Sequence, residues 1–572
     1  MSQHRFSRRY FFYGTLLAGA VPQGGFGSTP SLKALGFKSP NEKLNIAGIG
    51  AGGRPFQDLV ASEAGVENVV ALADVDFVRG AQGFNRWPTA EKYRDFRRML
   101  DRQGKQIDAV VIGTADHMHA TCALWCMQAG KHVYVEKPLT RTPWEARFLT
   151  QAAEKYKVAT QMGNQGYSHD ATRVACEILW SGEIGEVREV HAWHGNPGWP
   201  QGMQKIPPPT PVPDTLDWDL WLGGAAARPY TAGDDDYRAF VAANMGGRGG
   251  GGGGGGRAAG RGAPDGAMSA ENAAAPPAGR GARGGGGGGG GADQYGFYLP
   301  FNWRGFFDFG SGLFGDWGVH ILGPANWGLQ LSPEHLISVE RVMAEGISPF
   351  TYPVKNAVKY EFAARGSMPP VTVYWNDSIQ GDAYLPPGMT AEEARKVPGQ
   401  GPQVGPAGRG GLGGRGPGQG GAPGGRAGAP DGAPGGRGGG PPQSSGYNLI
   451  FAGSKGYLGT SGRGEGVGLL PGSRWAEYKL PNAYLQRSPG ASTGDNGSAH
   501  ARDWVRACKG GAPACSNFGI AGPYTEWLVL GAVATHFEGK LLWDNAKGEI
   551  TNNREANKWV KPTFRKGWEL KP

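Results

Sequence analysis

The stretch Lys43 to Gly53, KLNIAGIGAGG, decides the fold. Its first half is a short apolar run read as a buried strand. Gly48, Gly50 and Gly53 then spell G-x-G-x-x-G, with a helix expected from Pro55 through Val60. The first glycine permits a tight turn, the second lets a pyrophosphate touch the backbone, and the third lets helix pack on strand. A second apolar run, Val69 to Ala73, ends in Asp74, 21 residues beyond Gly53. A carboxylate there accepts hydrogen bonds from an adenosine ribose and repels a 2′-phosphate, so NAD is expected rather than NADP. Asp76 is the competing ribose ligand.

The alternation of helix and strand continues outward. Tyr93 to Asp101 reads as a helix, Ile107 to Gly113 as a buried strand, and His119 to Ala129 as a helix. The loop between the last two, Thr114 to His119, falls at the same sheet edge as the glycines, so Thr114 and His117 are expected to wall a cofactor. His117 and His119 lack the third ligand of a metal site, and no metal is expected. Cys122 and Cys126, four apart on an apolar helix, read as core. Gly130 to Pro138, GKHVYVEKP, carries a strand straight into Glu136 and Lys137, and Pro138 has no N–H with which to continue the ladder. Lys137 is thereby fixed at a strand C-terminus, where an open parallel sheet binds its ligands. Thr142 to Tyr156 reads as the next helix and Val158 to Met162 as the next strand.

The 102 glycines and 43 prolines of this 572-residue chain far exceed globular usage, and the excess is local. Residues 246–292 and 397–440 are almost wholly Gly, Ala, Pro and Arg and are expected to be disordered inserts. They carry +3 each and residues 1–40 carry +5, against +9 for the whole chain, so the remainder is close to −2. The basic balance therefore implies no basic groove on the folded body. The Arg-Gly tracts lack interleaved aromatics, and no nucleic-acid partner is expected. Ser7-Arg8-Arg9-Tyr10-Phe11-Phe12, followed by GTLLAGAV and Pro22, resembles a twin-arginine export signal, with Ala18-Gly19-Ala20 as a cleavage site. No later apolar run is long enough to span a membrane. A periplasmic or secreted location is expected, with residues 1–40 outside the fold.

In the second half, Phe314 to Gly323, FGDWGVHILG, places Asp316 and His320 four apart, on one face if helical. A carboxylate and an imidazole there can form an oriented acid–base pair. Asp170 to Ser181, Asp503 to Lys509 and Thr525 to Phe537 read as helices, and Val187 to Trp193 and Lys540 to Asp544 as strands. The second insert is expected to divide a strand pair, Pro370 to Trp375 and Tyr447 to Phe451. Cys508 and Cys515 are either a disulfide or two buried thiols.

Gly48 to Gly53, Asp74, AGKHVYVEKP and Asp316 to His320 together resemble the Gfo/Idh/MocA oxidoreductases. Leu216 to Leu222, Arg228-Pro229-Tyr230 and Phe301 to Gly305 look similar to segments of one bacterial branch. The resemblance implies an α/β chain: a Rossmann domain, a doubly wound parallel sheet, over 41–165. A C-terminal α/β domain over 166–572 follows, with a large, mostly antiparallel open sheet. It also implies bound NAD or NADP, a sugar or polyol substrate, a homo-oligomer formed through the C-terminal sheet, and Lys137 beside the nicotinamide with Glu136 at the cofactor. In the family the matching Asp-x-x-x-His carries catalysis; Gly323 departs from the acid many members have there. The expected function is NAD(H)-dependent oxidation of a sugar, glycoside or polyol hydroxyl by Lys137, Asp316 and His320, with Trp303 and Arg304 walling the sugar. The alternatives are a glycoside hydrolase or lyase using tightly bound NAD for transient oxidation, and a non-catalytic carbohydrate-binding protein.

Overall fold

A computed structural model describes residues 42–195, 199–245, 296–377, 384–394, 402, 404, 446–488 and 496–571. The export-signal stretch and almost all of the two glycine-rich inserts lie outside the described residues.

The first half alternates strand and helix: β1 (Asn45–Ile49), α1 (Arg54–Glu63), β2 (Asn68–Ala73), α2 (Phe77–Arg86), β3 (Glu91–Tyr93), α3 (Phe96–Gln103), β4 (Ala109–Ile112), α4 (Asp116–Gln128), β5 (His132–Val135), α5 (Pro143–Tyr156) and β6 (Thr160–Met162). The six strands run parallel in the order β3-β2-β1-β4-β5-β6, the doubly wound arrangement of a Rossmann domain. The order reverses between β1 and β4, and the glycine turn and Thr114 both leave the sheet there. Val110, Val111, Val133 and Val135 are wholly buried, as strands covered on both faces must be. Thr142 caps α5 in a capping box with Glu145.

Two local expectations are corrected and one helix is added. Tyr93 ends a strand, and the helix begins only at Phe96, where the Asp95 side chain caps it. Helix α2, unforeseen in the sequence, is capped by Asp76, whose carboxylate accepts from the N–H groups of Val78 and Arg79. Helix α4 starts at Asp116, so His117 and His119 stand in its first turn rather than in a loop.

After α6 (Asp170–Ser181) the chain builds a nine-stranded sheet in the order β13-β12-β11-β7-β10-β9-β8-β14-β15. Its strands are β7 (Val187–His194), β8 (Leu336–Glu345), β9 (Lys355–Phe362), β10 (Val371–Asp377), β11 (Leu449–Gly453), β12 (Gly456–Ser461), β13 (Gly466–Leu470), β14 (Lys540–Asp544) and β15 (Glu549–Ile550). All pairings are antiparallel except β10 with β7. The strands flanking the second insert, β10 and β11, are not a pair: β7 lies between them and bonds to both. The helix Phe518–Ala534 lies against α5, with Gly522 so close that a Cβ there would stand 1.8 Å from Thr150 Oγ1. Cys508 and Cys515 are free thiols, not a disulfide. Among the described residues no helix is long and apolar enough to cross a membrane.

Candidate active site

A cleft of about 510 Å³ runs from the glycine turn past Lys137 to the Asp316–His320 segment. At one end, Gly50 holds φ +93° and its N–H donates to Ala73 O at 2.8 Å, which turns the chain sharply out of β1. Gly48 lies inside β1, where a Cβ would stand 2.7 Å from Leu59 Cδ1, so it serves helix-on-strand packing. Gly53, at φ +69°, precedes α1 and offers no side-chain cap. Pro55 has no N–H, so the N–H groups of Arg54, Phe56 and Gln57 are those left without a side-chain cap, and an anion fits there. Gly52 was only a variable position in the motif, yet a Cβ on it would sit 1.9 Å from Arg79 O.

Asp74 lines the cleft and ties this turn together. One carboxylate oxygen accepts from Ala51 N at 2.9 Å and the other from Asp76 N at 3.0 Å. Burial pushes its pKa up against these bonds. Each oxygen retains a second lone pair, so a ribose hydroxyl can still be bound. Thr114 lines the same wall, its Oγ1 donating to Ala115 O at 3.2 Å. His117 is packed between the Trp221 and Phe309 rings with Nε2 at 3.0 Å from Trp221 O, and burial takes its pKa down to about 3. His119 is a brace: Nδ1 stands 2.8 Å from Pro138 O and Nε2 3.1 Å from Thr114 O, joining the two loops.

Glu136 and Lys137 leave β5 on opposite errands. Glu136, buried, accepts from Arg54 Nε at 3.1 Å and Gln165 Nε2 at 3.2 Å. Arg54 also pairs with Asp58 at 2.8 Å. Although burial opposes it, Arg54 and Lys137 hold Glu136 in its ionised form, while burial and Glu136 itself push Asp58 up. Lys137 Nζ donates to Asp316 Oδ1 at 2.6 Å and to Asp316 O at 2.8 Å. Arg304 Nε reaches the same Oδ1 at 3.1 Å, its guanidinium held 4.3 Å from the Phe301 ring and 4.2 Å from the Trp303 ring. Burial alone would raise the Asp316 pKa, but the two cations hold it at about 2.

The Asp316–His320 segment departs from an α-helix. Phe314–Gly318 forms a π-helical turn, closed by Val319 N bonding to Phe314 O, and α-geometry returns only at Val319–Ile321. Asp316 accordingly faces Lys137 and Arg304 rather than bonding His320. The His320 ring is buried, its Nδ1 without a hydrogen-bond partner. Burial, and then the charges of Lys137 and Arg463, push its pKa well below the ordinary histidine value. Trp303, Arg304 and Trp317 line this end of the cleft. Arg54, Asp58 and Gln165 were not read from the sequence; the one available signal was a basic residue directly after the glycine motif.

Residues 43–164 match the family model for the oxidoreductase family with an NAD-binding Rossmann fold, Gfo/Idh/MocA. The match falls on the first domain, whose parallel sheet and glycine turn are those of an NAD-binding Rossmann fold. The chain is 33% identical over 159 residues to a dTDP-3,4-didehydro-2,6-dideoxy-alpha-D-glucose 3-reductase of Saccharopolyspora spinosa, covering 28% of this chain and 43% of that protein. It is 30% identical over 157 residues to an inositol 2-dehydrogenase of Salmonella typhimurium, covering 27% and 46%. The match thus spans less than half the length of these relatives. A solved levoglucosan dehydrogenase in complex with NADH aligns over 88% of this chain and all of its own, with 14% identity and a TM-score of 0.48.

Proposed function

We propose that the protein is an NAD(H)-dependent oxidoreductase acting on a hydroxyl of a sugar, glycoside or polyol. The observation that carries this reading is the meeting of Lys137, Asp316, Arg304 and a neutral His320 in the cleft that the glycine turn opens. The matched relatives, an inositol dehydrogenase and a nucleotide-sugar reductase by name, support the substrate class. The open N–H groups of α1 and the glycine turn fit the dinucleotide pyrophosphate, and Asp74 the ribose; Asp74 in this place favours NAD over NADP. When bound, the nicotinamide supplies the hydride acceptor.

The remaining chemistry belongs to side chains. Two of the three Lys137 donors are spent on Asp316, and the third can hold the reacting oxygen and favour its anionic form. Asp316, ionised and pinned through Oδ1, can use Oδ2 to orient a substrate hydroxyl. His320, being neutral, can accept the hydroxyl proton. Trp303 offers an aromatic wall to a sugar ring.

Native mass spectrometry should show one retained dinucleotide, and a panel of sugars and polyols should show turnover coupled to NADH. Product formed without added NAD and without change in free NADH would point instead to redox-assisted cleavage. Ligand binding without any turnover would leave a carbohydrate-binding protein. We also infer twin-arginine export from Ser7 to Phe12; replacing Arg8 and Arg9 with Lys should retain the protein in the cytoplasm. We further infer homo-oligomer formation through the second sheet, supported by exposed Ile337, Val342 and Leu542 on adjacent strands β8 and β14. Light scattering that found a monomer would reject it.

A further inference from the structure

The substrate end of the cleft carries more positive charge than its acids balance. Lys137 and Arg304 converge on one carboxylate, Asp316. The neighbouring acid, Glu136, is already taken by Arg54 and Gln165. A third cation, Arg463, stands on the turn between β12 and β13 and lines the same cleft, its guanidinium 5.5 Å from the centre of the Trp317 ring. Among the described residues it has no carboxylate partner. The phosphates of a dinucleotide would not neutralise it, because their place is at the glycine turn, the other end of the cleft.

A surface arginine is ordinarily solvated and free to swing, but the backbone beneath this one is pinned. Gly464 holds φ +75°, and a Cβ there would lie 2.3 Å from Thr172 Oγ1, whose hydroxyl donates to Gly166 O at 2.8 Å and stands 3.4 Å from Gly464 O. Gly166 passes so close that its Cβ would stand 2.2 Å from Arg463 O. The turn is therefore seated on α6 and the segment before it, and it presents Arg463 over an aromatic ring that forms part of the cleft wall. Trp317 is itself held from behind by His194, stacked at 4.4 Å. A sugar at the cleft-facing edge of Trp317 with an anionic group toward Arg463 would meet both at once.

We propose that Arg463 is an anion subsite, and that the substrate is a sugar bearing a carboxylate or a phosphate. This rests on the sugar-oxidoreductase reading above and narrows its substrate class. Guanidinium to carboxylate or phosphate is a charge-assisted, two-point contact, strong enough to set preference between otherwise similar sugars.

The test is calorimetric titration of NADH-loaded protein with glucose, glucuronate and glucose 6-phosphate, at low and physiological ionic strength. At least one anionic sugar should bind about tenfold or more tightly than glucose, with the advantage shrinking as salt rises. Which of the two does so separates carboxylate from phosphate. Arg463→Gln should bring the ratio of anionic to neutral affinity near one, and Arg463→Glu should invert it. Arg463 is exposed, so neither change threatens folding, which an unchanged melting temperature would show. Glucose binding as tightly as both anions, or failure of all three to bind, would overturn the subsite; so would an anionic preference that survives Arg463→Gln. Anion preference without hydride transfer on any sugar would leave the subsite standing and remove the oxidoreductase reading, whereas turnover of neutral sugars without preference would do the reverse.

Discussion

Lys137 donates twice to Asp316, and that pairing sets what its replacement should do. Lys137→Ala removes the donor to the reacting oxygen and leaves Asp316 held by Arg304 alone, without touching the glycine turn. Lys137→Ala and His320→Ala should each lower kcat by about 10² to 10⁴-fold while NADH still binds, the range typical of a positioned proton-transfer group. Lys137→Arg should fail as well, since a planar guanidinium cannot occupy the place of a compact ammonium. Fluorescence titration of NADH alongside steady-state kinetics checks both halves, and wild-type turnover in either alanine variant would refute the roles. The pH profile carries the sign. Because burial and nearby cations hold His320 neutral far into the acid range, its base form is present throughout neutrality. Oxidation should be level near pH 7 and fall only on the acid side, and that fall should vanish in His320→Ala. From the sequence alone, an ordinary histidine would place the limb near pH 6.5. Lys137, Asp316 and His320 were legible because each sits in a local pattern. The Arg54–Glu136 contact was not, since it joins residues 82 apart that only the closed sheet brings together.

The glycine turn shows how far an element can be read. Strands were legible from apolar runs, and Asp170–Ser181 and Lys540–Asp544 begin and end where the pattern placed them. Helix α2 was illegible because Gly80 and Gly83 argue against a helix by propensity. The structure supplies the reason for both: a Cβ at Gly83 would lie 2.5 Å from Ala51 O, and one at Gly80 2.8 Å from the Phe84 ring. The helix is thus shaped to let the glycine turn ride against it. The π-helical turn at Phe314–Gly318 was likewise invisible, since a spacing of four fits either geometry; the Asp316 ion pairs lie within it. These contacts give Gly52→Ala a definite outcome. The added methyl meets the Arg79 backbone, which cannot rotate away as a side chain would. Overpacking of this kind costs about 1–3 kcal/mol. The melting temperature should fall, and NADH affinity should drop with it because the turn must shift. A variant with unchanged melting temperature and NADH affinity would show that α2 yields freely.

Across the whole molecule, the chain's last stretch returns to the first domain. Trp504 packs against Tyr134, Lys509 pairs with Glu67 at 2.5 Å, and Arg97 lies 4.2 Å from the Trp568 ring. Buried and half-buried histidines are spread through this joined body: His117 and the half-buried His132 in the first domain, His169 and His500 where the domains meet, and His320 and the half-buried His536 in the second. Burial is the leading cause of a depressed pKa in all six, to about 3 for His117 and His536 and about 4 for His132, His169 and His500. In the unfolded chain each returns to about 6.5. Below that pH the unfolded state binds protons that the folded state refuses, so stability falls as pH falls. Each such histidine removes on the order of 1.4 kcal/mol per pH unit until its folded pKa is reached. Acids with raised pKa values, the half-buried Asp74 and the buried Asp116, Glu145 and Glu526, act the other way, because the folded state takes up their protons first. Asp58, pushed well above the ordinary carboxylate range by burial and by Glu136, acts with them, and six histidines stand against these five acids, so the histidines should win where they titrate in the unfolded chain, near pH 6.5. The melting temperature should be level above pH 7 and drop steeply between pH 6.5 and 5. Scanning calorimetry across that range decides it, and a melting temperature that held or rose on acidification would mean that the raised carboxylates dominate instead.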